Sequence, residues 1–339
     1  MFKRMLSAFG VGGPSVDTVL DSPHAVPGQV VTGQVRIQGG SADAEIGQVV
    51  LSLVTRVEVE HGDHEYGGVS EFMRSVVQQG VRVPAGQLVA IPFQLPIPWE
   101  TPITAVGGAP LPGMTVGVRT ELVIAGAPDK GDLDPVLVGP LPSQDAVLNA
   151  FGQLGFSFRS ADVEAGRIRG VHQELGFYQE IEFFPPAQFA SAVSQVELTF
   201  VASPHELYVV LEADKRGGMF SSGGDAFGHF RVSHQEAQAT DWASAINGWL
   251  AQVAQRGHAN PAFGGGHAGY NPAFGGQPMH GHQGYDQHGH HGHHGHRSGP
   301  GMGGMIAAGA AGVVGGMVLG EVVEEVFEDD GGGDFAFEE

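Results

Sequence analysis

Apolar and polar residues alternate along much of the first half of the chain. After the turn signal Pro27-Gly28, Val31, Gly33, Val35 and Ile37 fall on one side while Thr32, Gln34, Arg36 and Gln38 fall on the other. Period two of this kind predicts a half-buried strand, closed here by a second turn at Gly39-Gly40. With the apolar stretch 15–20 before it, the segment predicts a hairpin that opens a β-sandwich. The longest alternation runs from Ile46 to Glu60, where Val49, Leu51, Leu53, Thr55, Val57 and Val59 interleave with Val50, Ser52, Val54, Arg56, Glu58 and Glu60. Strands are predicted at 15–20, 30–38, 48–60, 69–79, 87–95 and 114–125. Pro96, Pro98, Pro102, Pro110 and Pro112 exclude a central strand over 96–112, because proline cannot donate to a ladder. Many short strands with regular turn signals predict a sandwich rather than alternating strand–helix units.

The period changes at 140–154. Val147, Leu148, Phe151 and Leu154 fall at helical spacing, with Ser143 as the predicted N-cap and Asp145 in the first turn. A domain boundary is placed there, dividing a sandwich over 1–139 from a second over 140–235. Strand signals resume at 155–159, 179–184, 193–201, 206–213 and 228–232. The segment 236–256 is assigned to an amphipathic helix whose best run, Asp241 to Gln255, has Asp241 as cap and Trp242, Ala245, Ile246, Trp249, Leu250 and Val253 on one face. That face either docks onto a domain or is offered to a partner. From 257 onward the chain turns rich in glycine and histidine, and Asn260-Pro-Ala-Phe-Gly-Gly265 recurs as Asn271-Pro-Ala-Phe-Gly-Gly276. Such composition buries too little apolar surface to offset its ordering entropy, so 257–300 is predicted to be disordered. The fold class is therefore all-β, two β-sandwich domains with few short helices and a disordered C-terminal tail.

Charge and composition narrow the function. The 339 residues carry 16 Lys and Arg against 37 Asp and Glu, a net charge of −21. That field repels nucleic-acid phosphates, and no Lys/Arg cluster builds a local basic groove. No cysteine is present, which removes disulfides, thiolate metal sites and cysteine nucleophiles. Met1–Phe9 carries Lys3 and Arg4 with Phe2, Met5, Leu6 and Phe9 on one helical face. Gly12, Gly13 and Pro14 interrupt what a signal peptide would need, so a short helix packed on the first domain or an interfacial anchor is expected.

The sequence offers three places for chemistry. Asp129, Asp132 and Asp134 lie close together but lack the full calcium-loop spacing and its distal glutamate, which favours a solvated turn. Glu58, Glu60, His61, Asp63, His64 and Glu65 form a polar hairpin tip, more in keeping with an exposed turn than with zinc. His288, His290, His291, His293, His294 and His296 put six imidazoles within nine residues, enough to chelate Zn, Ni or Cu adventitiously without any fold. The same imidazoles gain charge near pH 6. The run Gly301–Gly320 is uncharged, and Gly304, Ala308, Gly312, Gly316 and Gly320 recur every four residues. On a helix they form a small-residue stripe suited to self-association, a partner helix or membrane contact. No nucleophile elbow, phosphate-cradling loop or zinc-protease helix is present, so no enzyme and no required cofactor are expected.

Several ordered motifs resemble the bacterial sporulation-control protein family. They are Val16-Asp-Thr-x-Leu20, Val26-Pro-Gly-x-x-x-x-Gly33-x-Val35, Gln38-Gly-Gly40, Leu51-x-Leu53-x-Thr55-Arg56, Phe93-x-Leu95-Pro96 and Val116-x-Val118-x-Thr120-x-Leu122. Leu154-Gly-Phe156 and Gln179-Glu-x-Glu-Phe183 continue the series, which covers roughly 1–235. The resemblance implies two arrestin-like β-sandwich domains, no enzymatic activity and a regulatory role in sporulation, cell division or development. It implies protein partners, with cell-division or cytoskeletal components as candidates, and a cytoplasmic or membrane-peripheral place. A membrane-associated structural protein, anchored by Met1–Phe9 and the glycine-rich tail, is the alternative, and a metal-binding protein a third.

Overall fold

The structure, a computed structural model, describes residues 12–61, 64–124, 130–215 and 225–258. β1 (Ser15–Leu20) pairs antiparallel with β3 (Val30–Gln38), and β3 pairs with β6 (Leu88–Pro96) to make a three-stranded sheet. β2 (His24–Ala25) pairs in parallel with β11 (Leu137–Val138). The facing layer is built on β4 (Ala44–His61), flanked by β5 (His64–Val83) and β9 (Val116–Ile124), with β10 (Lys130–Pro135) outside β9. β7 (Ala105–Val106) and β8 (Ala109–Pro110) make a small ribbon inside the proline-rich stretch. Between the layers Val35, Ile37, Phe93 and Leu95 meet Val49, Leu51, Leu53, Val118 and Leu122.

Alternation of inward and outward residues would leave one side of β4 wet, yet Val50, Ser52 and Val54 are fully buried as well. Their cross-strand neighbours explain this. Glu71, Arg74, Arg119 and Glu121 stand opposite them on β5 and β9. Arg74 pairs with Glu71 at 3.2 Å and with Glu121 at 2.9 Å, and Arg119 pairs with Glu71. The long arginine side chains stand on the same face as the two valines, paired with the glutamates, while Arg119 Nε is buried without a hydrogen-bond partner.

β4 does not stop at the end of the sandwich. Glu58 pairs in parallel with Glu164 of β12 (Ser157–Ala165). From there β13 (Phe177–Phe184), β14 (Val193–Ala202), β15 (Glu206–Lys215) and β16 (Asp225–Ser233) follow antiparallel, so a single nine-stranded sheet runs through both halves. In the second half, the described residues that cover one face of the sheet are helical: α1 (Pro142–Leu154), α2 (His234–Ala239) and α3 (Trp242–His258). Val147 and Phe151 of α1 and Ile246 and Leu250 of α3 pack with Ile181, Leu198, Leu207, Val209 and Leu211 of the strands.

Local chemistry sets the helix ends. The sequence reading puts the N-cap of α1 at Ser143; the structure puts it at Leu141, with Pro142 as the first helical residue. Proline is suited to that position because its fixed φ is already helical and its missing N–H is an orphan there anyway. Gln144 reaches back to accept from the Leu141 N–H at 2.8 Å, and Gly155 closes the helix at φ 82°. The helix read from Asp241 is α3, and the residues of the assigned segment before Thr240 fall in the separate short α2. Ser233 and Glu236 form a capping box for α2, and Asp241 accepts from the Ser244 N–H at 3.0 Å to cap α3. The sequence reading treats 129–134 as a solvated turn, whereas residues 130–135 are the edge strand β10, paired with β9 from Lys130↔Leu122 to Pro135↔Gly117. Proline, glycine and two aspartates hide its strand character from any propensity argument.

Leu250 is fully buried and Gln252 exposed on the same helix. Leu250→Ala is expected to lower stability by about 2–5 kcal/mol through lost transfer energy and a residual cavity. Gln252→Ala is expected to stay within about 0.5 kcal/mol. Urea unfolding of both variants checks the pair.

Candidate functional site

Two regions of the molecule concentrate polar chemistry, and the first is the junction between the halves. The segment after β6 carries Trp99, Glu100 and Ile103 onto the second half. Gln179 of β13, buried, donates from Nε2 to the Ile103 carbonyl at 2.7 Å and accepts at Oε1 from the Ile103 N–H at 2.8 Å. This copies a strand ladder with one side chain. Glu100 accepts from the N–H groups of Glu174 and Leu175 at 2.7 and 2.8 Å. Burial raises its carboxyl above the ordinary range, and those two N–H groups pull the other way. Trp99 lies between the Gly28 turn and the His234 ring, whose centroid is 5.6 Å away. A Cβ at Gly28, where φ is +76°, would stand 2.5 Å from the indole, so both the turn and the close approach require glycine. His234 Nδ1 hydrogen-bonds the buried Ser143 hydroxyl, and its Nε2 meets the Ser203 carbonyl, each at 2.8 Å. A serine and a histidine in contact suggest a nucleophile and base, but Ser143 is 1% exposed and the imidazole is held at both nitrogens. The arrangement locks α1, α2 and Trp99 together. The cleft lined by Trp99, Glu100, Thr101, Gln173 and Gln179 has room for about one water.

The second region is the face of β12–β15 turned away from the helices. The register aligns Asp162 with Glu180 and Thr199, and Ser160 with Glu182, Glu197 and Glu212. Glu182 accepts from the Ser160 hydroxyl at 2.7 Å and pairs with Arg159 at 3.2 Å, and Arg159 also lies over the exposed ring of Phe184. Burial, reinforced by Glu197, Asp162 and other carboxylates, pushes Glu180 up to about 9. Burial pushes Glu197 up to about 7, with the Gln195 amide opposing and nearby acids adding. Tyr178 is raised for the same first reason. At neutral pH this surface holds protons that free carboxyls would have lost.

Of the residues singled out by sequence, Trp242, Ile246, Leu250 and Val253 are buried in the second core, and Trp249 packs half-buried over Gly228. His288, His290, His291, His293, His294 and His296, the stripe Gly304, Ala308, Gly312, Gly316 and Gly320, and Met1–Phe9 lie outside the described residues. So does most of the hairpin-tip chemistry around Asp63. Among the described residues no group of three or more His, Asp or Glu is arranged to hold a metal ion, and no helix is long and apolar enough to cross a membrane. Sequence reasoning missed Trp99, Gln179 and His234. Gln179 and His234 are single polar residues in or beside strands, with no local signal; Trp99 among prolines was visible as an aromatic in a loop, but its partners were not.

Comparison with known proteins follows the same boundaries. Residues 2–217 match the SpoOM protein family. The chain belongs to that family. The sporulation-control protein spo0M of Bacillus subtilis (strain 168) is 32% identical over 216 residues, 63% of this chain and 81% of the relative. The crystal structure of Spo0M from Bacillus subtilis superposes with a TM-score of 0.62 at 28% identity, covering 72% of this chain and all of that one. The SpoOM fold is arrestin-like, and the chain is a mostly-β member of it with few short helices. The family match ends near the end of β15, so β16, α2 and α3 lie beyond it in sequence while completing the same sheet and core.

Gln179→Ala leaves the Ile103 N–H and C=O unpaired in a buried place, and about 2–3 kcal/mol of stability is expected to be lost in urea unfolding. The carboxylate face yields a pH dependence. Glu180 is raised from 4.5 to about 9, so its stabilising neutral form is fully present below about 4.5, and its contribution is lost as pH rises through 9. Glu197 acts alike between about 4.5 and 7. Glu180→Gln is expected to flatten the decline of the urea midpoint between pH 5 and 9. An unchanged slope contradicts this.

Proposed function

We propose that the chain is a non-enzymatic regulatory adaptor acting in sporulation control, cell division or development through protein–protein contacts in the cytoplasm. The observation that carries the reading is the family match over 2–217, whose characterised relative bears the name of a sporulation-control protein. The two halves are stitched by a shared sheet and a filled junction, and among the described residues they present strand edges and a carboxylate face. Strand edges accept an extended segment of a partner by main-chain pairing. The tail adds to this core: the stripe Gly304, Ala308, Gly312, Gly316 and Gly320 associates with itself or with a partner helix, and the histidines from His288 to His296 take up Zn, Ni or Cu without being required to.

Proximity labelling from the first half and from the tail, in developing and dividing cells, is expected to return a shared set of division or cytoskeletal proteins. Deleting 301–339 is expected to reduce oligomer size and leave the labelling from the first half intact. The adaptor reading fails if a deletion strain divides and sporulates normally and no partner is labelled. A shift of the full chain out of the membrane fraction on the same deletion would favour the membrane-associated alternative instead.

A further inference from the structure

The two sheets of the first sandwich meet along one side without pairing. β1 gives one edge to β3, and its other edge runs beside β10, which belongs to the large sheet. In place of a backbone ladder, side chains close the seam. Asp132 Oδ2 accepts from the Thr18 N–H at 2.7 Å, and its Oδ1 accepts from the Leu133 N–H at 3.0 Å. The hydroxyls of Thr18 and Thr120 meet at 2.6 Å, and Thr18 and Thr120 are both buried. Asp134, two residues along the same edge, has its side chain within hydrogen-bond reach of that of Asp132. Its Oδ2 is buried and meets no hydrogen-bond donor. A buried carboxylate oxygen facing a second carboxylate is stable only when one of the two carries a proton, which then bridges them.

Lys130, Asp132 and Asp134 alternate onto one face of β10. Asp132 lies on the same strand, and Asp17 lies on β1 with Arg36 directly across from it on β3. β9 presents Val118 and Thr120 at the aligned positions, both neutral, while Arg119 is engaged with Glu71 on the opposite face. The charged groups that act on Asp134 are Asp132 and Asp17, both acidic.

We propose that Asp132 and Asp134 form a proton-operated latch on the β1–β10 seam: one shared proton keeps Asp132 aimed at the Thr18 N–H, and its loss lets the two strands part. Burial, then Asp132 and Asp17, push Asp134 up to about 7, against an ordinary value of 3.8. In the opened seam the carboxyl regains its ordinary value. Closure therefore takes up a proton between about pH 4 and 7, and the latch weakens across that window and changes no further above it. Opening frees the outer edges of β1 and β10, whose unpaired backbone groups are a place for an extended partner segment. The latch does not depend on the adaptor reading; it is a property of the sandwich itself.

Hydrogen–deuterium exchange of the full chain tests it, read in peptides covering β1 and corrected for the intrinsic pH dependence of exchange. In the wild type, opening of Ser15–Leu20 is expected to rise at least fivefold from pH 5 to pH 7.5 and to level off above that. β6, which carries no titratable side chain, serves as the internal reference. Asp134→Asn keeps a donor toward Asp132 with no proton to lose, so its β1 opening is expected to stay within about twofold over the same range. A flat wild-type profile overturns the latch, as does an Asp134→Asn profile that rises as steeply as the wild type.

Discussion

Everything in this molecule hangs on β4 being longer than the sandwich that contains it. A strand of 18 residues spans about 60 Å, two to three times the usual length in a globular domain. Its first part is the centre of one layer, held by β5 and β9. Its last part passes beyond β9 and meets β12, where the second half begins. Val57, Val163 and Phe177 form a small apolar cluster at that crossing, with Phe72 and Met114 against it. The two halves are thus consecutive regions of one sheet. Gln179 and Glu100 reinforce the crossing from the other side: Gln179 satisfies the Ile103 backbone of the segment leaving β6, and Glu100 on that segment satisfies the N–H groups of Glu174 and Leu175.

A sheet that runs through both halves has to manage polar residues on surfaces that packing half-closes, and the chain does so in two ways. Over Val50, Ser52 and Val54 it matches Glu71 and Glu121 with Arg74 and Arg119 as ion pairs. On the far face of β12–β15, and on the seam beside β10, carboxyl stands next to carboxyl, and the cheaper solution is to keep a proton. The first device is insensitive to pH over the physiological range because arginine does not titrate there. The second is sensitive by construction. The contrast follows from composition: with 16 basic residues against 37 acidic ones, arginine cannot be placed beside every buried carboxyl.

What the sequence shows of this depends on the length scale of the physics. The strands of the first half are legible because each reads locally: Val31, Val35 and Ile37 alternate, and Pro27-Gly28 punctuates. Trp242, Ile246, Leu250 and Val253 are legible as one helical face for the same reason. β10 is not, since Lys130 to Pro135 contains nothing that favours a strand, and only its pairing with Arg119, Glu121 and their neighbours makes it one. Nor is the burial of Ser52, which depends on residues nineteen or more positions away. The junction is the least legible part. Gln179 looks like any polar residue at a strand start until Ile103, 76 positions earlier, arrives opposite it.

The end of the family match sharpens where the body of the protein stops. The match closes at residue 217, inside or just past β15, yet a molecule cut there would be unfinished. The outer edge of β15 would be open from Glu206 to Lys215, and Leu207, Val209 and Leu211, all fully buried, would lose Ile246 and Leu250 from above them. Ala237 accepts from the Trp242 indole N–H at 2.7 Å, and Gly228 admits Trp249 because any larger residue would strike it, so β16, α2 and α3 are fitted to one another as well as to the sheet. Apolar faces of that size are not left to solvent in a stable domain. Residues 225–258 therefore belong to the folded unit on physical grounds, although the family match does not reach them. The division between a common scaffold and what is particular to this chain falls after α3, where the composition changes, rather than at the end of the recognisable sequence.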